Sequence, residues 1–410
     1  MDSQIKTETE AEVIVIGGGA AGCSTAIYLA RRGRRVILLE GREDRPPQLS
    51  DLHSGEVLSP GSQLELDRLG LDLNQAQSGD YLVRWKLQEW ASLRLHWPGG
   101  RETFDRLPPG VAFWQINRGN FYRALRQLAR AEGVQVCEGV RVINLLRDSA
   151  GRCLGVSARA AGEAPYELKA PVTVDASGRN SVVLARLGLR QPEPHFRRAA
   201  YLLFFSELAG APEPGVWQQY WLRNTTTLRG SYLAPRLYRF SFETSLAERN
   251  RWLAKFGRLT AHELFLAALA EQLPQEARRF REATRLPHLL AFAPVGFRVA
   301  QITHDGLLMV GDASGYLDPS TGQGIEFALR LGRLAARSIE EAFAVNRFER
   351  PAFDRYLRER QDEVLPIMRR LRLFLMGSQS NRLLDVVGGV ALARRAAMRQ
   401  IIKTSPAIID

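Results

Sequence analysis

Residues 12–41 read EVIVIGGGAAGCSTAIYLARRGRRVILLEG. Residues 13–16 form a short, unbroken apolar run, as in a strand buried on both faces of a parallel sheet. Gly17, Gly19 and Gly22 then fit the spacing G-x-G-x-x-G, with Ala21 inside the turn. Each glycine has a mechanical task. Gly17 allows the tight turn, Gly19 lets the backbone approach a pyrophosphate, and Gly22 lets the helix pack closely on the strand. The helix runs to about Gly33, a natural C-terminal glycine. A pyrophosphate would rest on its N-terminus, where free N–H groups and the dipole favour an anion.

Residues 36–39 read as the second strand, and Glu40 ends it at the distance from the glycines where a ribose-binding carboxylate is expected. A carboxylate there accepts hydrogen bonds from both ribose hydroxyls and repels a 2′-phosphate. The unit therefore suits FAD or NAD rather than NADP. A lone G-x-G-x-x-G is weak evidence, but here strand, loop, helix, strand and acid follow in order.

Residues 307–337 read LLMVGDASGYLDPSTGQGIEFALRLGRLAAR. A buried strand leads into Gly311-Asp312, then a loop rich in Gly, Pro and Ser, then a helix starting near Gly324. Residues 172–175 form another strand, ending at Asp175 and followed by Ala176-Ser177-Gly178-Arg179. WQINRGNFYRAL places Arg118 just ahead of a helix over 120–131, which leads to a strand at 134–136. Together these pieces resemble the para-hydroxybenzoate-hydroxylase-like FAD superfamily, which includes aromatic monooxygenases, geranylgeranyl reductases and flavin-dependent halogenases. The resemblance implies that Asp312 meets the ribityl hydroxyls and that Pro319, Gly322 and Gly324 lie against the flavin ring. It implies that the helix through Ile325 points its N-terminus at the flavin's N1–C2 carbonyl. It also gives Asp175 and Gly178 the turn of a D-[AG]-x-G stretch, and Arg118 a place near the phosphates.

Residues 54–71, SGEVLSPGSQLELDRLGL, resemble a GE-x-L-x-P stretch of the halogenase-like branch, which also holds flavoproteins that modify tryptophan in quinone-cofactor maturation. The matching positions, Gly55, Glu56 and Pro60, would line the flavin. The plainer reading is a helix that starts at Ser62 and buries Leu64, Leu66 and Leu69. Halogenation fits less well, because GSYLAPRL lacks the branch's tryptophan pair and the loop Ser320-Thr321-Gly322-Gln323-Gly324 has a changed order. A halogenase also needs a lysine that carries activated halogen; Lys86, in RWKLQEW, is the candidate, against an ordinary strand lysine. The geranylgeranyl-reductase branch remains open, since DPSTGQGIEFAL suits it as well.

Residues 200–245 alternate and are rich in aromatics, as in an antiparallel sheet. Trp217, Tyr220, Trp221, Tyr232 and Phe240 are candidates to line a substrate pocket over the flavin, or simply to pack a sheet face. His53 and His96 lie in segments that could approach the flavin, and either is a candidate acid–base group. After residue 345 the pattern is helical. Val364, Ile367, Met368, Leu371 and Leu375 form an apolar stripe with arginines between them, and a second run covers 383–402, interrupted at Gly388-Gly389. Such helices pack on their own protein or make peripheral contact with a membrane.

The chain has 410 residues, 45% apolar and 24% charged, which suits a folded protein of more than one unit. Its net charge is +12, yet only five of its 56 basic residues are lysine and the arginines are scattered. Nucleic-acid binding would need a focused basic stripe and is not expected. Three unpatterned cysteines and the lack of a signal-like or membrane-spanning run point to the cytoplasm, and no metal site is expected. The expected architecture is α/β. A Rossmann-like FAD-binding domain is drawn from residues 11–80, 105–198 and 285–345. An inserted antiparallel β-sheet substrate domain covers 81–104 and 199–284, and a helical region covers 346–410. The expected function is an FAD-dependent monooxygenase working through a flavin hydroperoxide on an aromatic or other biosynthetic substrate, either a small molecule or a protein side chain. The alternatives are a C=C reductase, a divergent halogenase, and a flavin-binding assembly protein without turnover. No second G-x-G-x-x-G is present, so electrons would come from NAD(P)H or from a separate flavin reductase.

Overall fold

A computed structural model of the chain describes residues 11–43, 56–71, 85–98, 101–319 and 322–389. Its first layer is a six-stranded sheet in the order Thr303–His304, Leu307–Met309, Val172–Asp175, Val13–Ile16, Val36–Glu40, Gln135–Glu138. The pairs are parallel except for the short first strand. Burial on both faces explains the unbroken apolar runs: Val13, Ile14, Val15, Val172 and Val174 are all fully buried.

One face is covered by helix α1 (Ala20–Ala30). Helices α2 (Pro60–Leu69) and α3 (Arg118–Ala131) follow it, and then the short α4 (Val182–Leu187). α2 starts earlier than the sequence suggests. Ser59 is its cap, accepting from the Ser62 N–H at 3.2 Å, so Glu65 turns inward with Leu66 and Leu69 while Leu64 is only half-buried.

The second large layer is a seven-stranded sheet ordered Thr284–Phe292, Arg198–Ser206, Leu237–Ser245, Thr227–Ala234, Val216–Trp221, Ser92–His96, Glu102–Arg106. It is antiparallel except where Val216–Trp221 runs parallel to Ser92–His96. One face is covered by α5 (Leu246–Phe256), α6 (Ala261–Gln272) and α7 (Pro274–Glu282). Phe205, Phe240, Phe242, Trp252, Phe265 and Phe280 fill that interface. A three-stranded sheet (Glu56–Leu58, Phe113–Ile116, Lys86–Trp90) lies by the other face, where the Ser231 hydroxyl donates to Gln115 Oε1 at 3.1 Å.

The long helix α8 (Gly324–Ala344) returns to the parallel sheet and crosses α1. The crossing is close because position 332 is glycine: a Cβ there would sit 2.7 Å from the Ala21 carbonyl oxygen. Helices α9 (Asp354–Glu363), α10 (Leu365–Ser378) and α11 (Asn381–Gly389) finish the described chain. The stripe expected here faces inward: Val364, Ile367, Leu371 and Leu375 are buried. Phe374 and Leu384 join Trp90, Trp97 and Trp221 against the large sheet. The second run stays helical through Gly388-Gly389, and its remainder lies outside the described residues. No described helix is long and apolar enough to cross a membrane.

Candidate cofactor site

Three helix N-termini converge on one cleft of about 790 Å³. Gly19 and Ala20 open α1, Arg118 and Gly119 open α3, and Gly324 and Ile325 open α8 along its walls. The helix α3 is capped by the Asn117 side chain, as α2 is by Ser59. By contrast, α1 and α8 have no side-chain cap. Their first N–H groups therefore face the cleft with their hydrogen-bonding capacity unspent by a cap, which makes each a ready anion site.

The loop between the first strand and α1 is set by glycine geometry. Gly17 has φ +102°, and a Cβ on it would lie 2.6 Å from the Ala176 carbonyl oxygen. A Cβ at Gly22 would lie 1.9 Å from the Gly17 carbonyl oxygen, so α1 approaches its own loop as closely as the motif demands. Glu40 accepts the Gly18 N–H at 2.8 Å on one oxygen and the Arg42 N–H at 2.9 Å on the other. Its carboxylate is thereby aimed along the cleft wall with lone pairs remaining for a ribose. Arg126 holds the loop from the opposite side, donating to the Gly18 carbonyl at 3.3 Å and to Glu138.

Of the residues singled out in the sequence, Gly17, Gly19, Ala21, Glu40, Arg118 and Gly178 line the cleft. So do Gly311, Asp312, Pro319, Gly322, Gly324 and Ile325 at the other end. Asp175 is placed differently. Its carboxyl is fully buried and accepts from the hydroxyls of Ser177 and Ser181, both at 2.5 Å, so it shapes the Ala176–Gly178 turn from beneath. Burial pushes its pKa up, against the pull of those hydroxyls. Gly22 also works from below, through packing. His53 and Gly55 lie outside the described residues; Glu56 is described only as backbone, paired with Ile116.

Sequence reasoning missed Tyr122, Arg126, Arg141, Arg159 and Tyr316, which also line the cleft. One signal was available: Arg118, Tyr122 and Arg126 recur every four residues and share one face of α3. The arginines at 141 and 159 come from a separate three-stranded sheet, and nothing local marks them.

The substrate candidates need correcting. Strand alternation puts Tyr220 and Tyr232 on the face that α5 to α7 cover. Tyr220 belongs to that core and stacks on His96 at 4.0 Å, and Tyr232 sits edge-on to Tyr238. His96, within 3.4 Å of Glu102 and with a pKa lowered by burial, shares that helix-covered face beside Tyr220. Trp217 is on the other face, stacked on Trp90 at 5.0 Å. The same face carries buried charge. Arg229 bonds Gln219 and Glu243, while Arg198 reaches Thr227 at 3.2 Å and lies 3.5 Å from Asp318. Asp318 adjoins the cleft residue Pro319, so this wall meets the loop 315–319. Lys86 is buried, with its ammonium 3.8 Å above the Trp114 ring and 3.0 Å from Glu89, and it does not line the cleft.

Comparison with known proteins agrees with this geometry. A 1H-pyrrole-2-carbonyl-[peptidyl-carrier protein] chlorinase of Pseudomonas fluorescens is 25% identical over 84% of this chain and 79% of its own. A menaquinone reductase of Mycolicibacterium smegmatis is 26% identical over 95% of this chain and 90% of its own. The solved structure of a flavin-dependent brominase superposes with a TM-score of 0.77 at 20% identity, covering 96% of this chain and 93% of that one, and so shares the fold. The FAD binding domain family matches residues 10–370, and the chain belongs to it, as an FAD-dependent oxidoreductase of the para-hydroxybenzoate-hydroxylase-like superfamily.

Proposed function

We propose that the chain is an FAD-dependent monooxygenase acting on an electron-rich aromatic ring that carries hydrogen-bonding groups. The observation behind this reading is the buried charge on the sheet wall that meets the loop 315–319: Arg198, Arg229, Glu243 and Asp318, all at most 8% exposed. Two arginines against two carboxylates leave that wall near neutral but rich in donors and acceptors. A polyprenyl chain laid along it would add no hydrogen bond to that network, whereas a phenol, pyrrole or indole can join it. Lys86 argues against halogen transfer, because its side chain is held over Trp114 and beside Glu89 and does not line the cleft.

Bound FAD would supply the electrons that activate oxygen. The chain's own residues would do the rest. Glu40 and the α1 N-terminus would hold the ribose and pyrophosphate, and Asp312 the ribityl chain. The α8 N-terminus would stabilise negative charge beside Gly324. Reducing equivalents would come from NAD(P)H or a separate flavin reductase, and NADPH alone bleaching the flavin would select the first.

The test is to reduce the holoenzyme anaerobically and mix it with labelled oxygen and phenol, indole or pyrrole, with and without bromide. One labelled oxygen atom in the product, with no effect of bromide, is the expected result. Brominated product, or reduction of a substrate C=C bond without oxygen, overturns it.

A further inference from the structure

Gly324 and Ile325 line the cleft, but the next residue on α8, Glu326, turns the other way. Its side chain is wholly buried, and its carboxyl accepts from the Ser59 hydroxyl at 2.6 Å and from Arg330 at 3.2 Å. Ser59 is the cap of α2, so this contact ties the start of α2 to the first turn of α8. The space is made by Gly61, where a Cβ would lie 2.3 Å from the Glu326 carboxyl.

The charged groups around it are already engaged. From α8, Arg333 is bonded to Glu65 at 3.0 Å and to Glu363 of α9 at 2.8 Å. Arg330 lies 3.5 Å from Glu65 and donates to the Glu363 carbonyl. From α2, Glu65 also holds Arg68 at 2.9 Å, and Tyr28 of α1 faces the same group. Glu326 therefore receives only a share of one arginine. Burial outweighs its hydrogen bonds and its arginine, and pushes its pKa up to about 7.

The N-terminus of α8 is a limited source of positive potential, felt within its first turn. Two anions would draw on it: the Glu326 carboxylate, and the charge that two-electron reduction places on a flavin beside Gly324. A second negative charge disfavours the first. We propose that Glu326 is a redox-linked proton acceptor of the flavin site. As bound FAD takes up two electrons and one proton from a hydride donor, the Glu326 carboxylate binds a second proton from solvent. The helix terminus then gains no net charge. The inference rests on the cleft holding FAD and is independent of whether the reaction is oxygenation.

The experiment is to reduce the FAD-loaded full chain at an electrode, in weakly buffered solution containing a pH indicator, from about pH 6 to 9. Near pH 8 the wild type should take up about two protons per flavin and Glu326→Gln about one, with the flavin spectrum of each confirming that FAD is bound. Equal counts in the two proteins overturn the proposal. Should Glu326→Gln lose FAD, Ser59→Ala serves instead. It removes a hydrogen bond that favours the anion, so the window of extra uptake should move to higher pH, and an unmoved window overturns the proposal. A normal flavin spectrum with one proton per flavin in the wild type sinks this inference alone, whereas failure to bind any flavin sinks the reading of the cleft.

Discussion

Glu40 and Glu326 are both glutamates beside the cleft, yet only the first could be read from the sequence. Glu40 ends a strand at a fixed distance from three glycines, so its task follows from local order. Glu326 depends on Ser59, 267 positions away, and on a glycine at 61 whose smallness matters only once α2 and α8 meet. Glu40→Gln keeps the shape but removes the charge that Gly18, Arg42 and a ribose would share. Charge-assisted hydrogen bonds contribute about 1.5–3 kcal/mol, so FAD affinity should fall about 10- to 100-fold in a fluorescence titration of apoprotein. An unchanged affinity would mean that the ribose does not reach Glu40. For Glu326 the sign follows from linkage. Its pKa is raised from 4.5 to about 7, so the folded protein binds more protons than the unfolded chain between those values. Its contribution to stability is complete below about pH 4.5 and is lost as pH rises through about 7. Urea midpoints across that range should decline in the wild type and decline less in Glu326→Gln. Parallel curves would count against a raised pKa.

Elements were more legible than their faces. The strands at 13–16, 36–40, 172–175 and 307–309, and the start of α8 at Gly324, stand where apolar runs and glycines put them. The aromatic strands were also recognisable as a sheet. What alternation does not reveal is which of two faces meets the cofactor, because that is decided by where three distant helices settle. Once α5 to α7 cover the side bearing Tyr220, Phe240 and Phe242, the polar set Arg198, Gln219, Arg229 and Glu243 is left for the opposite face, together with Trp217 and Trp221. Helix crossings are equally hidden. Gly332 reads as an unremarkable helical glycine, but a methyl group there would meet Ser24 Cβ at 2.8 Å and the Thr25 nitrogen at 2.9 Å as well as the Ala21 carbonyl. Backbone cannot yield as a side-chain tip would. Gly332→Ala should therefore push α8 off α1 and destabilise the protein by about 1–3 kcal/mol, despite alanine's better helix propensity. Because Ala21 lines the cleft, FAD binding should weaken in the same variant. A gain in thermal stability would show that the crossing can relax.

At the scale of the whole molecule, two sheets of different kind are joined around the cleft. Arg198 of the large sheet approaches Asp318 of the cofactor loop, and Ser231 bonds Gln115 across to the small sheet. The C-terminal helices add joints of their own. Arg372 on α10 donates to Glu193 at 2.7 Å, and Asp385 on α11 pairs with Arg223 between strands of the large sheet at 3.3 Å. Phe374 and Leu384 add apolar contact with Trp221 and its neighbours. These joints are charged and buried at one place and apolar at another, so opening the large sheet away from the parallel one would expose unpaired ions as well as tryptophans. The two layers should then unfold as one unit rather than as separate domains. FAD provides the probe, because the cleft draws its walls from the parallel layer, the helix termini and the loop 315–319 that Asp318 fastens to the large sheet. A ligand at about 100 times its dissociation constant stabilises the folded state by about 2.7 kcal/mol. Adding FAD to apoprotein should therefore raise a single thermal transition by several degrees, with the near-ultraviolet signal of the tryptophans on the large sheet moving together with the loss of flavin. Asp318→Ala should split that transition, leaving the tryptophan signal to melt first. Two transitions in the wild type, only one of them shifted by FAD, would show instead that the large sheet folds independently and that Arg198 and Asp318 meet without coupling the layers.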